Sequence, residues 1–244
     1  MTIKLVDEIP PAHKSASSGQ DIDFNWVMES TVYGIKNSLA VLQCLLEQEQ
    51  VSDAINSEKS PEQINIIQRE TSRIDNDSTQ LLALYRMHNQ QLSLRIDEVD
   101  IYYFLEEAVI ANQLLADSSN TALAFECEED LMGYFDPSLI RSVLHAAIVG
   151  GVQYAKSSLK ITARSEDDRI VLSVLDDGAG FPETLRTQYA NQKPLDHTSE
   201  QVRANMNFYF ASCVAHQHQN AGQEGFIHLE NNTEGGGCFE IHLP

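Results

Sequence analysis

Two stripes of apolar residues dominate the first third of the chain. Met28, Val32, Ile35, Leu39, Leu42 and Leu46 recur at spacings of 4, 3, 4, 3 and 4, which puts all six on one side of a long helix. The run EQEQVSDAINSEKSP interrupts the stripe. Ser60, Pro61 and Gln63 then supply a cap, a first-turn proline and a capping-box partner for a second helix. Its stripe, Ile64, Ile67, Thr71, Ile74, Ser78, Leu81, Tyr85 and His88, again alternates 3 and 4, as an antiparallel hairpin partner requires. Two helices alone cannot cover two apolar seams, so the pattern predicts a four-helix bundle made with a second copy, a homodimer. Residues 1–20 mix Pro, Ser, Gly and charge without periodicity and read as a flexible tail, which leaves 21–95 for the hairpin.

From residue 96 to 244 the period changes repeatedly. Helical spacing runs from Tyr102 to Leu115 and from Pro137 to Tyr154. Alternating runs predict strands at Ala122–Cys127, Leu159–Ala163, Ile170–Leu175, Phe226–Asn231 and Cys238–Leu243. The segment SEDDR has turn chemistry between two of these strands, and ENNTEGGG between the last two. The fold class is therefore α+β: a helical hairpin followed by a sandwich with helices on one face of a mixed sheet.

Charge narrows the partners. With 36 acidic against 16 basic residues the formal net charge is -20, which repels nucleic-acid backbones and anionic lipid surfaces. No apolar run reaches the roughly 18 residues of a spanning helix, and the first twenty residues lack signal-peptide features, so a cytoplasmic location is expected. Cys44, Cys127, Cys213 and Cys238 lie far apart without a C-x-x-C pair, so they suggest neither a zinc site nor a disulfide framework.

The sharpest local signal is Asp176-Asp177-Gly178-Ala179-Gly180-Phe181-Pro182, directly after the apolar run Ile170–Leu175. A strand ending there sets a carboxylate and two glycines at a pocket edge. The string resembles the D-x-G-x-G box of the histidine-kinase, gyrase and Hsp90 ATPase superfamily. Asp136-Pro137-Ser138-Leu139-Ile140-Arg141-Ser142-Val143-Leu144 resembles the start of that family's N-box helix, and GGGCFEIHLP its last strand. Leu84 to Met87 through Val99 to Ile101 is similar to the end of the dimerisation hairpin of histidine kinases and its link to the ATPase domain. The resemblance, to a histidine-kinase transmitter core, covers residues 25–244. It implies that Asp176 would accept a hydrogen bond from an adenine amino group, while Gly178 and Gly180 let backbone approach a nucleotide.

The departures fall where the chemistry would be. Aligned on the family's N box, Gly150 and Ala146 stand where asparagines stand, and Gly150 has no oxygen to hold magnesium. Asn205-Met206-Asn207-Phe208 replaces the second glycine box, and the segment from Pro182 to Ala204 lacks an obvious aromatic clamp. The resemblance thus implies that ATP or ADP with magnesium is held weakly or not at all. Gly34-Ile35-Lys36-Asn37-Ser38-Leu39 resembles the phosphoacceptor box and puts Tyr33 at the position of the phosphorylated histidine. No histidine lies in the first helix, and a tyrosine cannot form the labile phosphoramidate of a relay. By resemblance, a receiver domain would dock beside Tyr33 on Lys36, Asn37, Val41 and Leu45.

Other candidates read as structural. His88 falls on the buried stripe at a helix end. His216 and His218, two apart on a helix, face different ways and read as a solvated helix end. Asp167, Asp168, Glu128 and Glu129 read as turn or surface charges. The leading reading is a catalytically degenerate histidine-kinase-like protein of two-component signalling that binds a response regulator or a cognate kinase. A nucleotide binder anchored on Asp176, Gly178 and Gly180 is the alternative, and a histidine phosphotransferase the third.

Overall fold

The structure is a computed structural model that describes residues 24–52, 61–128, 130–190, 206–233 and 235–244. The expected tail and the middle of the run between the first two helices fall outside these residues, as do Glu129 and most of the segment after Pro182. Two long helices, α1 (Phe24–Ser52) and α2 (Pro61–His88), come first. The helix α1 continues through EQEQVS, where the stripe had ended. Phe24 at the start of α1 stacks on His88 at the end of α2, with ring centroids 4.9 Å apart, and lies 5.7 Å from Tyr85. The helices therefore run antiparallel, and His88 is an exposed helix-end ring.

The period of α1 is as expected, but the face it turns to α2 is not its apolar stripe. Val27, Thr31 and Ser38 are buried, while Met28, Val32, Leu39 and Leu46 are 40–52% exposed. Along α2 the buried positions are Glu70, Asn76, Gln80, Ala83 and Leu84, and Ile64 and Tyr85 remain exposed. One chain thus closes its hairpin largely through small and polar contacts and leaves Met28, Val32, Leu39 and Leu46 of the apolar stripe uncovered, with Ile35 and Leu42 half-buried.

The sandwich follows. It contains α3 (Ile101–Ser118), α4 (Pro137–Tyr154), α5 (Glu183–Tyr189) and α6 (Met206–Gln217). The main sheet is built from β2 (Ala122–Cys127), β4 (Ser158–Glu166), β5 (Arg169–Asp176), β8 (Phe226–Asn231) and β9 (Gly237–Leu243), in the order β2-β4-β5-β9-β8. Only β2 and β4 are parallel, so the sheet is mixed, as the alternation predicts. A short pair, β1 (Asp97–Asp100) with β3 (Met132–Phe135), closes one end, and a small ribbon, β6 (Gln219–Asn220) with β7 (Gln223–Glu224), precedes β8. SEDDR is the β4–β5 turn, with Asp167 and Asp168 both at positive φ (49° and 59°), as a tight hairpin with right-handed strand twist requires.

One face of the sheet builds the core. Leu159 and Ile161, Leu172 and Val174, Ile227 and Leu229, and Phe239 and Ile241 pack against Ile140, Val143, Leu144 and Ile148 of α4 and Phe210 and Val214 of α6. Each fully buried side chain of this kind stabilises the fold by roughly 1.5–3 kcal/mol. The start of α4 is fixed by Asp136. Its Oδ1 accepts from Ser138 N and Leu139 N at 3.0 and 3.1 Å, its Oδ2 accepts from Arg95 N at 3.0 Å, and Pro137 fills the first turn.

Asp136 also bears on the histidine pair. His218 is not at a solvated helix end: it is 2% exposed. Its Nε2 accepts from Asp136 N at 3.0 Å, and its Nδ1 donates to Val214 O at 2.8 Å. Those two bonds require the neutral ring protonated at Nδ1, and burial holds its pKa below the usual histidine range. The apolar spacing of α6 carries no sign of this, because the partner lies 82 residues away.

Candidate functional site

A cavity of about 750 Å³ opens where the hairpin meets the sandwich. Thr31 and Gly34 of α1 and Asn76 and Asp77 of α2 form one side. Ala146 and Gly150 of α4, Asp176 at the end of β5, Phe181 after it, and Asn207 and Phe208 of α6 form the other. The sequence-predicted Asp176 and Gly180 both line it. Asp176 Oδ1 accepts from Gly178 N at 2.7 Å, which orients the carboxylate at the cavity wall. Phe181, Phe208 and Phe239 make a run of ring contacts, 5.5 and 5.9 Å between centroids, beside it. The aromatic of the segment after Pro182, Tyr189, is buried and turned inward to Phe208 (6.1 Å).

The glycines of the box answer to protein rather than to ligand. Gly178 is not on the cavity wall: a Cβ there would lie 2.3 Å from Tyr154 O at the end of α4. Gly180 takes φ +76°, and a Cβ would meet the Asn231 side chain at 2.7 Å. The box is also tied down by Asp177, whose carboxylate accepts from the N–H groups of Lys156, Ser157 and Ser158 and from the Ser157 hydroxyl (2.6 Å). These bonds, the Ser157 hydroxyl first, hold its pKa well below the usual carboxylate range.

Two asparagines read in the sequence only as a strand end and its turn complete this frame. Asn231 Oδ1 accepts from Phe181 N at 2.6 Å and its Nδ2 donates to Phe181 O at 3.2 Å. Asn232 Nδ2 donates to Asp176 O at 3.0 Å. Their position in a Gly-rich β8–β9 turn marked a hairpin, and nothing in the string pointed across to the box.

At the hairpin wall, Asp77 Oδ2 lies 3.2 Å from where a Gly34 Cβ would be. A side chain at position 34 would press on this carboxylate. Burial pushes the Asp77 carboxyl above the usual range, with Arg73 opposing. On the outer side of α1, Tyr33 is 67% exposed, and Lys36, Asn37 and Val41 are exposed too. Leu45 differs from that expectation: it is half-buried, in heptad register with Thr31 and Ser38 on the face that meets α2. Glu128, Asp167 and Asp168 are exposed surface groups.

On the other face of the sheet, ligand atoms of Glu230, Cys238 and Glu240 lie within 4.8 Å of one another. Glu240 is already engaged by Arg164 at 2.9 Å and by Ser173 at 3.1 Å, and burial pushes the Cys238 thiol up to about 12. The group is an ion-pair network bracing β4, β5 and β9, not an open ligand set. The four cysteines form no disulfide.

A helical hairpin followed by this mixed-sheet sandwich, with the D-x-G-x-G strand end at its cavity, is the fold of a histidine-kinase transmitter core. The solved histidine kinase AdeS of Acinetobacter baumannii superposes with a TM-score of 0.56 at 17% identity, over 85% of this chain and 95% of that one. Histidine kinase ThkA, in its complex with the response regulator protein TrrA, gives 0.56 at 18% identity, over 91% of this chain and 61% of that one. In sequence, Histidine kinase P4 of Formosa agariphila is 24% identical over 207 residues, and the signal transduction histidine-protein kinase AfsQ2 of Streptomyces coelicolor 22% over 181. These alignments take in 81% and 74% of the chain, which spans only 15% and 32% of the length of those relatives. No protein-family model matches the chain. No helix among the described residues is long and apolar enough to cross a membrane.

Proposed function

We propose that this chain is a histidine-kinase-like module of two-component signalling that works by protein contact rather than by phosphoryl transfer. The observation that carries the reading is Tyr33. It stands at the phosphoacceptor position of the resemblance, 67% exposed on a helix that contains no histidine. The partner is a response-regulator receiver domain or a cognate kinase, met in the cytoplasm on the outer face of α1. The uncovered stripe of Met28, Val32, Leu39 and Leu46 fits a second copy, so the working unit is a homodimer. The ThkA structure, a complex with a response regulator, supports the partner class by analogy alone.

A second reading, nucleotide binding with ATP or ADP and magnesium, is favoured by one feature: Asp176 and Gly180 still line a cavity of about 750 Å³. Against it stand Gly150, which offers no magnesium ligand, and the Asn207 side chain at the place of the second glycine box. A phosphotransferase would need a histidine on α1.

Titration of a panel of receiver domains against the chain tests the leading reading. At least one receiver is expected to bind, and Tyr33→Glu or Val41→Asp to weaken it about tenfold, or about 1.4 kcal/mol, with the dimer mass by light scattering unchanged. Undiminished binding by both variants would place the contact elsewhere and contradict the proposal.

A further inference from the structure

One carboxamide joins the hairpin to two helices of the sandwich. Asn207, in the first turn of α6, accepts at Oδ1 from Gln80 Nε2 at 2.8 Å and from Asn76 Nδ2 at 3.4 Å, both on α2. Its own Nδ2 donates to Ala146 O of α4 at 3.4 Å. Gln80 and Asn76 are 1% and 4% exposed, and Gln80 Oε1 has no partner among the described residues. Both amides are thus buried on the strength of what Asn207 accepts. Two buried amides without an acceptor are expensive, and the relief available to them is water, which enters only if α2 lifts from α6.

The room for this carboxamide is made by Gly150. A Cβ at that position would lie 3.6 Å from Asn207 Nδ2, so alanine would just touch it and any longer polar side chain would compete with it. Gly150, Ala146, Asn76 and Asn207 all belong to the wall of the same cavity.

We propose that Asn207 is a latch that holds the sandwich on the hairpin and closes the Gly150 end of the cavity, so that any group entering there must break the latch. Docking of the hairpin and filling of that end are then opposed, and the opposition is reciprocal. The bare glycine at position 150 and the amide at position 207 are two halves of one device. The inference stands whether or not a receiver binds.

Amide hydrogen exchange on the full chain tests it. Asn207→Leu keeps the branched shape and removes every side-chain hydrogen bond, Asn207→Asp keeps the acceptor for Gln80 and Asn76, and Gly150→Asn introduces a competing amide at the cavity end. Asn207→Leu and Gly150→Asn are expected to speed exchange in residues 73–84 of α2 by about tenfold while β4 and β5 keep their protection, and Asn207→Asp to stay near wild type. Gly150→Asn placed on Asn207→Leu should add nothing further. Equal effects of the leucine and aspartate variants would reduce Asn207 to a space-filling residue and overturn the latch. So would unchanged α2 exchange in Gly150→Asn, or additive effects in the double variant. If Asn207→Leu lowers protection everywhere, Gln80→Met supplies the same test from α2, with the same expected rise confined to that helix; no rise would again overturn it.

Discussion

Replacing Gly178 with alanine is expected to destabilise the fold by on the order of 3 kcal/mol, more than an ordinary surface substitution by several fold. The added methyl would lie 2.3 Å from Tyr154 O and 2.7 Å from Asp176 Oδ1, and the first of these is backbone at the end of a buried helix, which cannot rotate away. Relief requires the D-x-G-x-G strand end to part from α4, and with it the bonds from Asp177 to Lys156, Ser157 and Ser158. Urea or guanidinium unfolding measures the loss, with the exposed neighbour Ala179→Ser as the control that should change little. A loss below about 1 kcal/mol for Gly178→Ala would mean the contact relaxes freely. The frame requires this glycine whether or not a nucleotide is ever bound.

The second large effect is acid sensitivity. His218 and His145 are both held neutral by burial, with pKa values lowered from the ordinary histidine value. His145 Nδ1 lies 2.7 Å from Asn112 Oδ1, and Asp75 opposes part of the burial effect. At His218 the Val214 carbonyl and Asp136 oppose it. A histidine whose pKa falls on folding contributes stability above its unfolded pKa, and that contribution is lost as pH drops below about 6.5 because the unfolded chain takes the proton more readily. Each such group adds a slope of up to about 1.4 kcal/mol per pH unit. The melting temperature should therefore fall from pH 7 to pH 5, and His218→Gln should flatten that fall. Glu240, held at about 2 by His242 and Arg164 against burial, belongs to a lower window, contributing stability above about 4.5 that disappears toward pH 2. A flat profile between 7 and 5 would show that neither ring is held neutral.

What the sequence showed best was whatever is local. The strands Ala122–Cys127 and Phe226–Asn231 and the helix from Pro137 to Tyr154 have the bounds their patterns predict. The Asp136-Pro137 start works as a cap through bonds to the next two backbone N–H groups. The pair β1–β3 was not legible: four-residue strands leave little alternation to read, and Asp97 finds Phe135 across 38 residues of chain. Phase was harder than period. The spacing of Met28, Val32 and Leu39 defined a stripe without saying that Val27, Thr31 and Ser38, one position earlier, would be the ones to meet α2.

The site divides in the same way. Asp176 was visible because its strand, acid and glycines are contiguous. Asn207, Gln80 and Asn76 were not, because an amide has no sequence signature and theirs meet across more than 120 residues. Asn231 and Asn232 escaped for a similar reason, since a turn asparagine is ordinary until its partner is known.

The most direct test is calorimetric titration of ATP and ADP, with and without magnesium, into the wild type and into Asp176→Asn. A module that works by contact alone should give no binding heat with either nucleotide. Binding tighter than about 100 μM, roughly 5.5 kcal/mol, and lost in Asp176→Asn, would contradict that and make the cavity a working nucleotide site.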